Sequence, residues 1–369
     1  MWKFANKLSI NFIISLGVGL LAALVGSFAV LSFILPSDFW LGSNNVSGQS
    51  QEILKTALGV KTYGRLEVFK FLDSTLPSVA GIYKKKPATV QFADSLYLDK
   101  ERLGYGFILT SDGWIISNKT ALGSQPAKQS LAILIKNKPY EVKSILYDTW
   151  TDAVFLKVDA EKLPVAALGD SGNLKLGDLV FGGTARNNFW FSYVSGSGFY
   201  PESASKSDLA ISSEKFGKRI KLQDKLSTNL NGGMVANNSG EVVGIIVSEP
   251  KGIYILPINY FKNIISDVLK NKKIVRPYLG AGYIDLSFTA GADLPNPNGA
   301  FLRSVSAESP AQKAGLVAGD IIIAVDDESL SAEQNLSEII SEYSPGEEIN
   351  FKILREGKEM DIRVALGSM

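Results

Sequence analysis

A catalytic site in this 369-residue chain would have few side chains to draw on, because the sequence contains no histidine and no cysteine. Without histidine it lacks the commonest general base and the usual imidazole ligand of zinc. Without cysteine it lacks a thiolate nucleophile, a thiolate metal site and a disulfide framework. Catalysis would have to run on carboxylates, lysine, tyrosine, hydroxyls or an oxygen-ligated metal. The residues suggest no cofactor and no metal site. Hydroxyls, amides, a lysine and a carboxylate occur in Ser117-Asn118-Lys119-Thr120, Thr151-Asp152, and Asn229-Leu230-Asn231-Gly232-Gly233-Met234, with Ser227, Thr228 and Ser239 close by. A Ser–Lys pair would need a desolvated Lys119 aimed at one of these hydroxyls. Neighbours on a strand point opposite ways, so Lys119 is expected to face away from Thr120. Asp152 also has a structural reading, as an acceptor of backbone hydrogen bonds at a strand start. Asn231 and its two glycines also read as keepers of a turn.

The elements that must position these residues are short. Tyr105–Leu109 and Trp114–Ser117 read as a hairpin across Ser111-Asp112-Gly113. Further strands are expected at Leu131–Ile135, Tyr140–Leu146, Ala153–Val158, Leu179–Gly182, Phe191–Ser195, Glu241–Val247 and Tyr254–Leu256. Many short strands with Gly-rich turns and no βαβ alternation indicate an antiparallel barrel or sandwich. Ile258, Phe261, Ile264, Ile265, Val268 and Leu269 recur at helical spacing, with lysines at the end that suit the helix dipole. A second unit of roughly 90 residues follows a linker at Lys272–Pro277. In it Ser309-Pro310 caps a short helix, Ile321–Val325 is a strand, and Ser331-Ala332-Glu333-Gln334 reads as a capping box. Two alternating strands around Ile349–Ile353 and Met360–Leu366 are joined at Glu356-Gly357.

The N-terminus carries a different signal. No charge occurs from Leu8 to Pro36. Ile10–Leu35 is long enough for a ~30 Å hydrocarbon core and exceeds the ~7–15-residue apolar core of a cleaved signal peptide. Lys3 and Lys7 precede it and Asp38 follows, which predicts residues 1–9 inside the cell and the bulk of the chain outside the cytoplasmic membrane. Residues 36–75 read as a stalk or linker, with Gly42–Gln51 its flexible part and the role of 52–73 left open. Lysine and arginine total 38 against 37 acidic residues, so nothing points to nucleic acid as a partner.

Taken together, these segments resemble HtrA/Deg-type trypsin-like serine proteases. Gly104-Tyr105-Gly106-Phe107-Ile108 with Ser111–Asn118 resembles the hairpin leading to the family's catalytic histidine. Thr151–Val158 resembles its aspartate strand, and Leu168-Gly169-Asp170-Ser171 with Leu176-Gly177-Asp178 the next landmark. Gly240–Ile245 and Ile255–Asn259 resemble the end of the protease domain. Tyr278–Ala281, Ser309-Pro310-Ala311, Ala314-Gly315-Leu316 and Gly319-Asp320 are similar to a PDZ domain. The landmarks run in family order from Leu76 to Leu366. The resemblance implies a mainly β fold: a trypsin-like double β-barrel over 76–272, a PDZ domain over 273–369 and one N-terminal transmembrane helix over 10–35.

By that resemblance Thr120 stands at the histidine position, Asp152 at the aspartate, Asn231 at the nucleophile and Asn229 at an oxyanion-loop glycine. Threonine cannot take a proton near pH 7, and an asparagine amide is not an acyl acceptor. Loss of base and nucleophile together costs roughly 10⁶ in kcat. The chain is therefore expected to be a pseudoprotease. The PDZ resemblance assigns Tyr278, Leu279, Gly280 and Ala281 as a carboxylate loop, Gly282, Tyr283 and Ile284 as an exposed edge strand, and Leu336 and Ile340 as pocket walls. The implied partners are protein C-termini and unfolded polypeptides, with a preference for apolar C-terminal residues. The resemblance also implies a homo-trimer or a mixed oligomer with active relatives. The alternatives left open are a protease using a non-standard dyad and a regulatory dead subunit.

Overall fold

Runs of β-branched and aromatic residues broken by glycine, aspartate and asparagine turns form three main sheets and a two-stranded pair in the computed structural model of the chain. The structure describes residues 70–87, 91–123, 127–185, 188–199, 209–249, 252–288 and 298–369. The expected anchor at Ile10–Leu35 and the stalk lie outside the described residues. Among the described residues no helix is long and apolar enough to cross a membrane.

The first barrel is built from β1 (Val79–Lys84), β2 (Arg102–Ile108), β3 (Trp114–Asn118), β4 (Leu131–Ile135), β5 (Lys138–Tyr147) and β6 (Ala153–Val158). It closes in the order β1-β2-β3-β6-β5-β4, all neighbours antiparallel. Its interior is apolar: Ile82, Ile108, Ile115, Leu131, Ile133, Val154 and Leu156 are fully buried. The β4–β5 turn uses Lys136 and Asn137, both at positive φ, the geometry of a two-residue hairpin loop. The second barrel has β7 (Leu179–Gly183), β8 (Phe189–Phe199), β10 (Lys218–Leu222), β11 (Met234–Ala236), β12 (Val242–Glu249) and β13 (Gly252–Pro257), closed in the order β10-β13-β12-β11-β7-β8. The expected helix follows as α1, Asn259–Asn271, its buried face carrying Tyr260, Phe261, Ile264 and Val268, and Lys272 ends it in the left-handed region.

The third sheet has the order β20-β19-β17-β16-β15-β9. It holds β15 (Ala281–Asp285), β16 (Ala300–Val305), β17 (Ile321–Val325) with its short neighbour β18 (Glu328–Ser329), β19 (Glu348–Arg355) and β20 (Lys358–Ala365). Glu356 and Gly357 make the expected β19–β20 turn with positive φ at both. A separate pair, β14 (Pro277–Tyr278) with β21 (Gly367–Ser368), ties the start of this region to its end. Its outer strand β9 (Ala210–Ser212) comes from between β8 and β10, outside the expected 273–369 boundary.

Three expectations are corrected. Gly282-Tyr283-Ile284 is not an exposed edge, because β15 is paired with β16 on one side and β9 on the other. The helix after Ser331 starts later: Asn335 caps α3 (Leu336–Ile340) and forms the capping box with Glu338, while Ser331 bends the preceding turn by accepting from the Glu333 and Gln334 amides. The strands β1, β9, β10 and β11 escape a period-2 reading. β1 is buried along nearly all its length, β10 is written Lys-Arg-Ile-Lys-Leu, and β9 and β11 are three residues each. The Ser309 cap is as expected: its hydroxyl accepts from Gln312 N–H at the head of α2 (Pro310–Lys313).

One buried ion pair holds these units together. Arg276, 1% exposed, donates from Nε to Asp148 Oδ1 at 3.1 Å and from Nη2 to Asp148 Oδ2 at 2.7 Å. A further bond at 2.9 Å reaches the Tyr260 carbonyl on α1. Its guanidinium lies over the rings of Trp150 and Phe216, and Phe216 stacks on Tyr260. Removing one partner leaves an uncompensated buried charge. Arg276→Met is expected to lower unfolding stability by about 3–5 kcal/mol. The double variant Arg276→Met/Asp148→Asn should lose less than the sum of the two single changes in a urea-denaturation cycle.

Candidate functional site

The sequence-predicted centre lies between the barrels, where β3 of the first meets the loop before β11 of the second. Asn118, at the end of β3 and fully buried, organises it. Its Oδ1 accepts the Ala121 N–H at 2.8 Å and the Thr120 hydroxyl at 2.9 Å. Its Nδ2 donates to Asn231 Oδ1 at 2.6 Å and to the Ile246 carbonyl at 2.7 Å. Asn231, 6% exposed, also accepts the Ser248 N–H at 3.0 Å on the same Oδ1. Thr120 and Asn231 are thus joined through one asparagine.

The backbone around Asn231 is equally committed. Ser227 precedes a tight helical turn, Thr228–Leu230, and the Asn231 N–H donates back to the Thr228 carbonyl at 3.2 Å. The Asn231 carbonyl accepts the Tyr105 N–H at 2.9 Å. Gly232 follows with φ +77°. A Cβ there would sit 2.2 Å from the Tyr105 carbonyl and 2.3 Å from Ser117 Oγ, so the turn requires glycine. The reading of Asn231 and its glycines as keepers of a turn agrees with this packing.

The other candidates do not converge on this centre. Asp152 is exposed and its carboxylate makes no hydrogen bond or ion pair among the described residues. The acceptor at that strand start is Asp148, which takes bonds from the Trp150 N–H and the Thr151 hydroxyl, while Thr151 Oγ1 accepts the Ala153 N–H. The structural reading of Asp152 is corrected accordingly. Lys119, Ser227, Thr228, Asn229 and Ser239 are exposed, and no hydrogen bond joins Lys119 to a hydroxyl among the described residues. Tyr105 packs under Arg102, but burial pushes its phenol up to about 12, far from a base at neutral pH. Among the described residues no cluster of acidic side chains could hold a metal ion. The centre therefore offers amides and two hydroxyls that already donate, Thr120 to Asn118 and Ser117 to the Tyr105 carbonyl, and among the described residues it holds no carboxylate or imidazole.

The second candidate site is the loop Tyr278–Ala281 with β15 and α3. Leu336 and Ile340 are fully buried, and α3 also carries Ser337, whose Oγ lies 2.9 Å from the Tyr283 hydroxyl. The Leu279 and Gly280 amides point at Glu214 Oε1, at 3.0 and 2.9 Å. The Ala281 amide donates to Ser213 Oγ at 3.1 Å. Sequence reasoning missed Ser213, Glu214 and Asn118. Ser212-Ser213-Glu214 signals local side-chain bonding, but its backbone partners lie 65 residues and more downstream.

Both candidate sites lie in regions that match known domain families. Residues 104–245 match the family model described as a trypsin-like peptidase domain, and residues 277–366 match that of the PDZ domain. A probable periplasmic serine endoprotease, DegP-like, of Hahella chejuensis is 28% identical over 280 residues, 73% of this chain and 58% of that relative. One of a Marinomonas species is 29% identical over 276 residues, 72% of this chain and 57% of the relative. The chain joins a trypsin-like peptidase-type domain to a PDZ domain. It spans somewhat over half the length of these curated HtrA/DegP relatives. In solved structures the fold is similar to the HtrA-type protease AlgW with tripeptide, at TM-score 0.60 and 18% identity, covering 82% of this chain and 97% of that one. It is also similar to the serine endoprotease from Yersinia pestis, at TM-score 0.51 and 20% identity, covering 84% and 99%.

Asn118→Ala should cost about 1–3 kcal/mol, chiefly through the buried Ala121 N–H it leaves without an acceptor, since the Ile246 carbonyl and Asn231 Oδ1 keep the Gly232 and Ser248 N–H groups. Urea denaturation should show a lower midpoint at an unchanged m-value.

Proposed function

We propose that this HtrA/DegP-type chain is a catalytically inactive, peptide-binding protein held at the outer face of the cytoplasmic membrane by residues 10–35. The observation that carries the inactive reading is the Asn118–Asn231 amide pair, seated where the resemblance puts the nucleophile. An acyl transfer needs a hydroxyl or thiol with a base in reach, and a donor pair for the oxyanion. Here an amide replaces the hydroxyl, Thr120 is spent on Asn118, and the Asn231 N–H is turned inward to the Thr228 carbonyl. The carboxylate of Asp152, exposed and unpaired, has no imidazole to orient.

The PDZ domain then becomes the working part, with Tyr278–Ala281 as carboxylate loop, β15 as the pairing strand, and Leu336 and Ile340 behind the side-chain pocket. Its class of partner is the C-terminus of an extended or unfolded polypeptide, recognised through backbone bonds and a terminal carboxylate. Solved HtrA-type AlgW structures contain a tripeptide or a decapeptide, which accords with such a role. The periplasmic designation of the curated relatives supports the extracytoplasmic placement.

Purified protein incubated with unfolded casein and a fluorophosphonate probe is expected to give neither cleavage nor labelling. Cleavage that the probe blocks would sink the inactive reading. In a parallel arm, fluorescent peptides ending in free apolar carboxylates should bind, and silence from all of them at millimolar concentration would remove the PDZ reading.

A further inference from the structure

The groove assigned above to a partner is already filled by the chain itself. Strand β9 pairs antiparallel with β15, Ser212 opposite Gly282, Ile211 opposite Tyr283 and Ala210 opposite Ile284. Residues 210–214 therefore run toward the 278–281 loop, the direction a peptide takes when it is added to a sheet edge with its terminus captured by backbone N–H groups. The ladder continues past β9: the Ser213 N–H donates to the Ala281 carbonyl at 2.8 Å, and Ser213 Oγ accepts the Ala281 N–H at 3.1 Å.

At the end of this segment a carboxylate occupies the loop. Glu214 Oε1 accepts the N–H groups of Leu279 and Gly280 at 3.0 and 2.9 Å. The Ser213 hydroxyl donates to Oε1 at 2.7 Å and the Ser212 hydroxyl to Oε2 at 2.6 Å. Glu214 is 8% exposed and Ser213 is fully buried. No cation pairs with Glu214 among the described residues, so its charge is met by N–H and O–H donors alone. A buried carboxylate is tolerated only where such donors converge. Gly280 turns the loop at φ +81°, and a Cβ there would lie 2.3 Å from Ser309 Cβ, so the amide pair is fixed by packing as well as by sequence.

Strand β9 is not part of the barrel ladder. The strands that flank it, β8 and β10, are paired with each other at Phe199 and Lys218. Lys218 is also tied to Glu338 on α3 at 2.7 Å, and the Tyr260 hydroxyl donates to the same carboxylate at 2.9 Å. These bonds tie the start of β10 to α3 beside the groove.

We propose that residues 210–214 are an internal ligand of the PDZ groove, with the Glu214 carboxylate in the seat of a chain terminus, and that polypeptides with a free C-terminal carboxylate bind by displacing it. This rests on the peptide-binding reading of the groove and adds its regulation. A tethered ligand acts at an effective concentration of about millimolar. The apparent affinity for an outside peptide is then reduced by the fraction of molecules whose groove is open.

The test uses the full chain and a fluorescein-labelled peptide Leu-Ala-Ile-Ser-Ser, the sequence of residues 209–213, with a free or an amidated C-terminus. Fluorescence anisotropy should show Glu214→Gln and Ser213→Pro each binding the free-acid peptide at least about tenfold tighter than the unaltered protein, with the amidated peptide weak throughout. Hydrogen exchange should show the Leu279 and Gly280 amides protected in the peptide-free protein and released in Glu214→Gln, while strand β6 stays protected as a control for folding. Equal affinities for all three proteins would overturn the internal ligand and leave the peptide-binding reading standing. Absence of binding by any of them, with β6 protected, would overturn both. Unprotected Leu279 and Gly280 amides in the unaltered protein would overturn the internal ligand irrespective of how the variants fold.

Discussion

The buried pair of Arg276 and Asp148 is the constraint on which the arrangement of the three sheets depends. Asp148 precedes β6 of the first barrel, Tyr260 belongs to α1, and the backbone of Arg276 exchanges hydrogen bonds with Met369, just beyond the β14–β21 pair. A charge pair taken out of water gains little net stability over an apolar substitute, but it tolerates no misplacement. One geometry satisfies both groups, so it acts as a register pin for the linker. The Phe216 ring under the guanidinium extends the effect, since Phe216 lies two residues beyond Glu214. The cluster that seats the linker also fixes the root of the segment that reaches the groove.

The two sites show opposite uses of amide chemistry. Between the barrels, Asn118 and Asn231 bond to one another and to the surrounding backbone, in a network built of neutral amides. At the PDZ loop, two backbone amides are left unpaired by their own domain and are met by a carboxylate from elsewhere in the chain. The first arrangement joins amide to amide. The second sets backbone N–H groups against a carboxylate.

Much of this was legible in the sequence, for physical reasons that differ between elements. Leu131–Ile135 and Ile321–Val325 are uniformly apolar runs between turn residues, Ala153–Val158 is broken only by Lys157, and the bounds of all three agree with the structure. Helix α1 declared itself by spacing, and the Glu356-Gly357 turn by composition. The barrel strands β10 and β11 were hidden, one by its lysines and one by its brevity. At the barrel centre, family spacing located Thr120 and Asn231, but not the asparagine that joins them, because Asn118 reads only as part of a motif. Nothing local could reveal β9: three residues of weak pattern become a strand only because β15 lies open to them. The same blindness made β15 look like a free edge.

That borrowed strand has a consequence for how the chain is made. The residues that complete the third sheet precede their partners by 65 and 66 positions at Glu214, and Arg276 meets Asp148 across 128. Contacts of such span form late, because loop closure must come first. As the chain emerges from its N-terminal side, segment 210–214 is present before the strand it will pair with exists. In that interval it is an unsatisfied edge, the kind of surface that attracts foreign chains. Its serines and its glutamate keep that edge polar until β15 arrives.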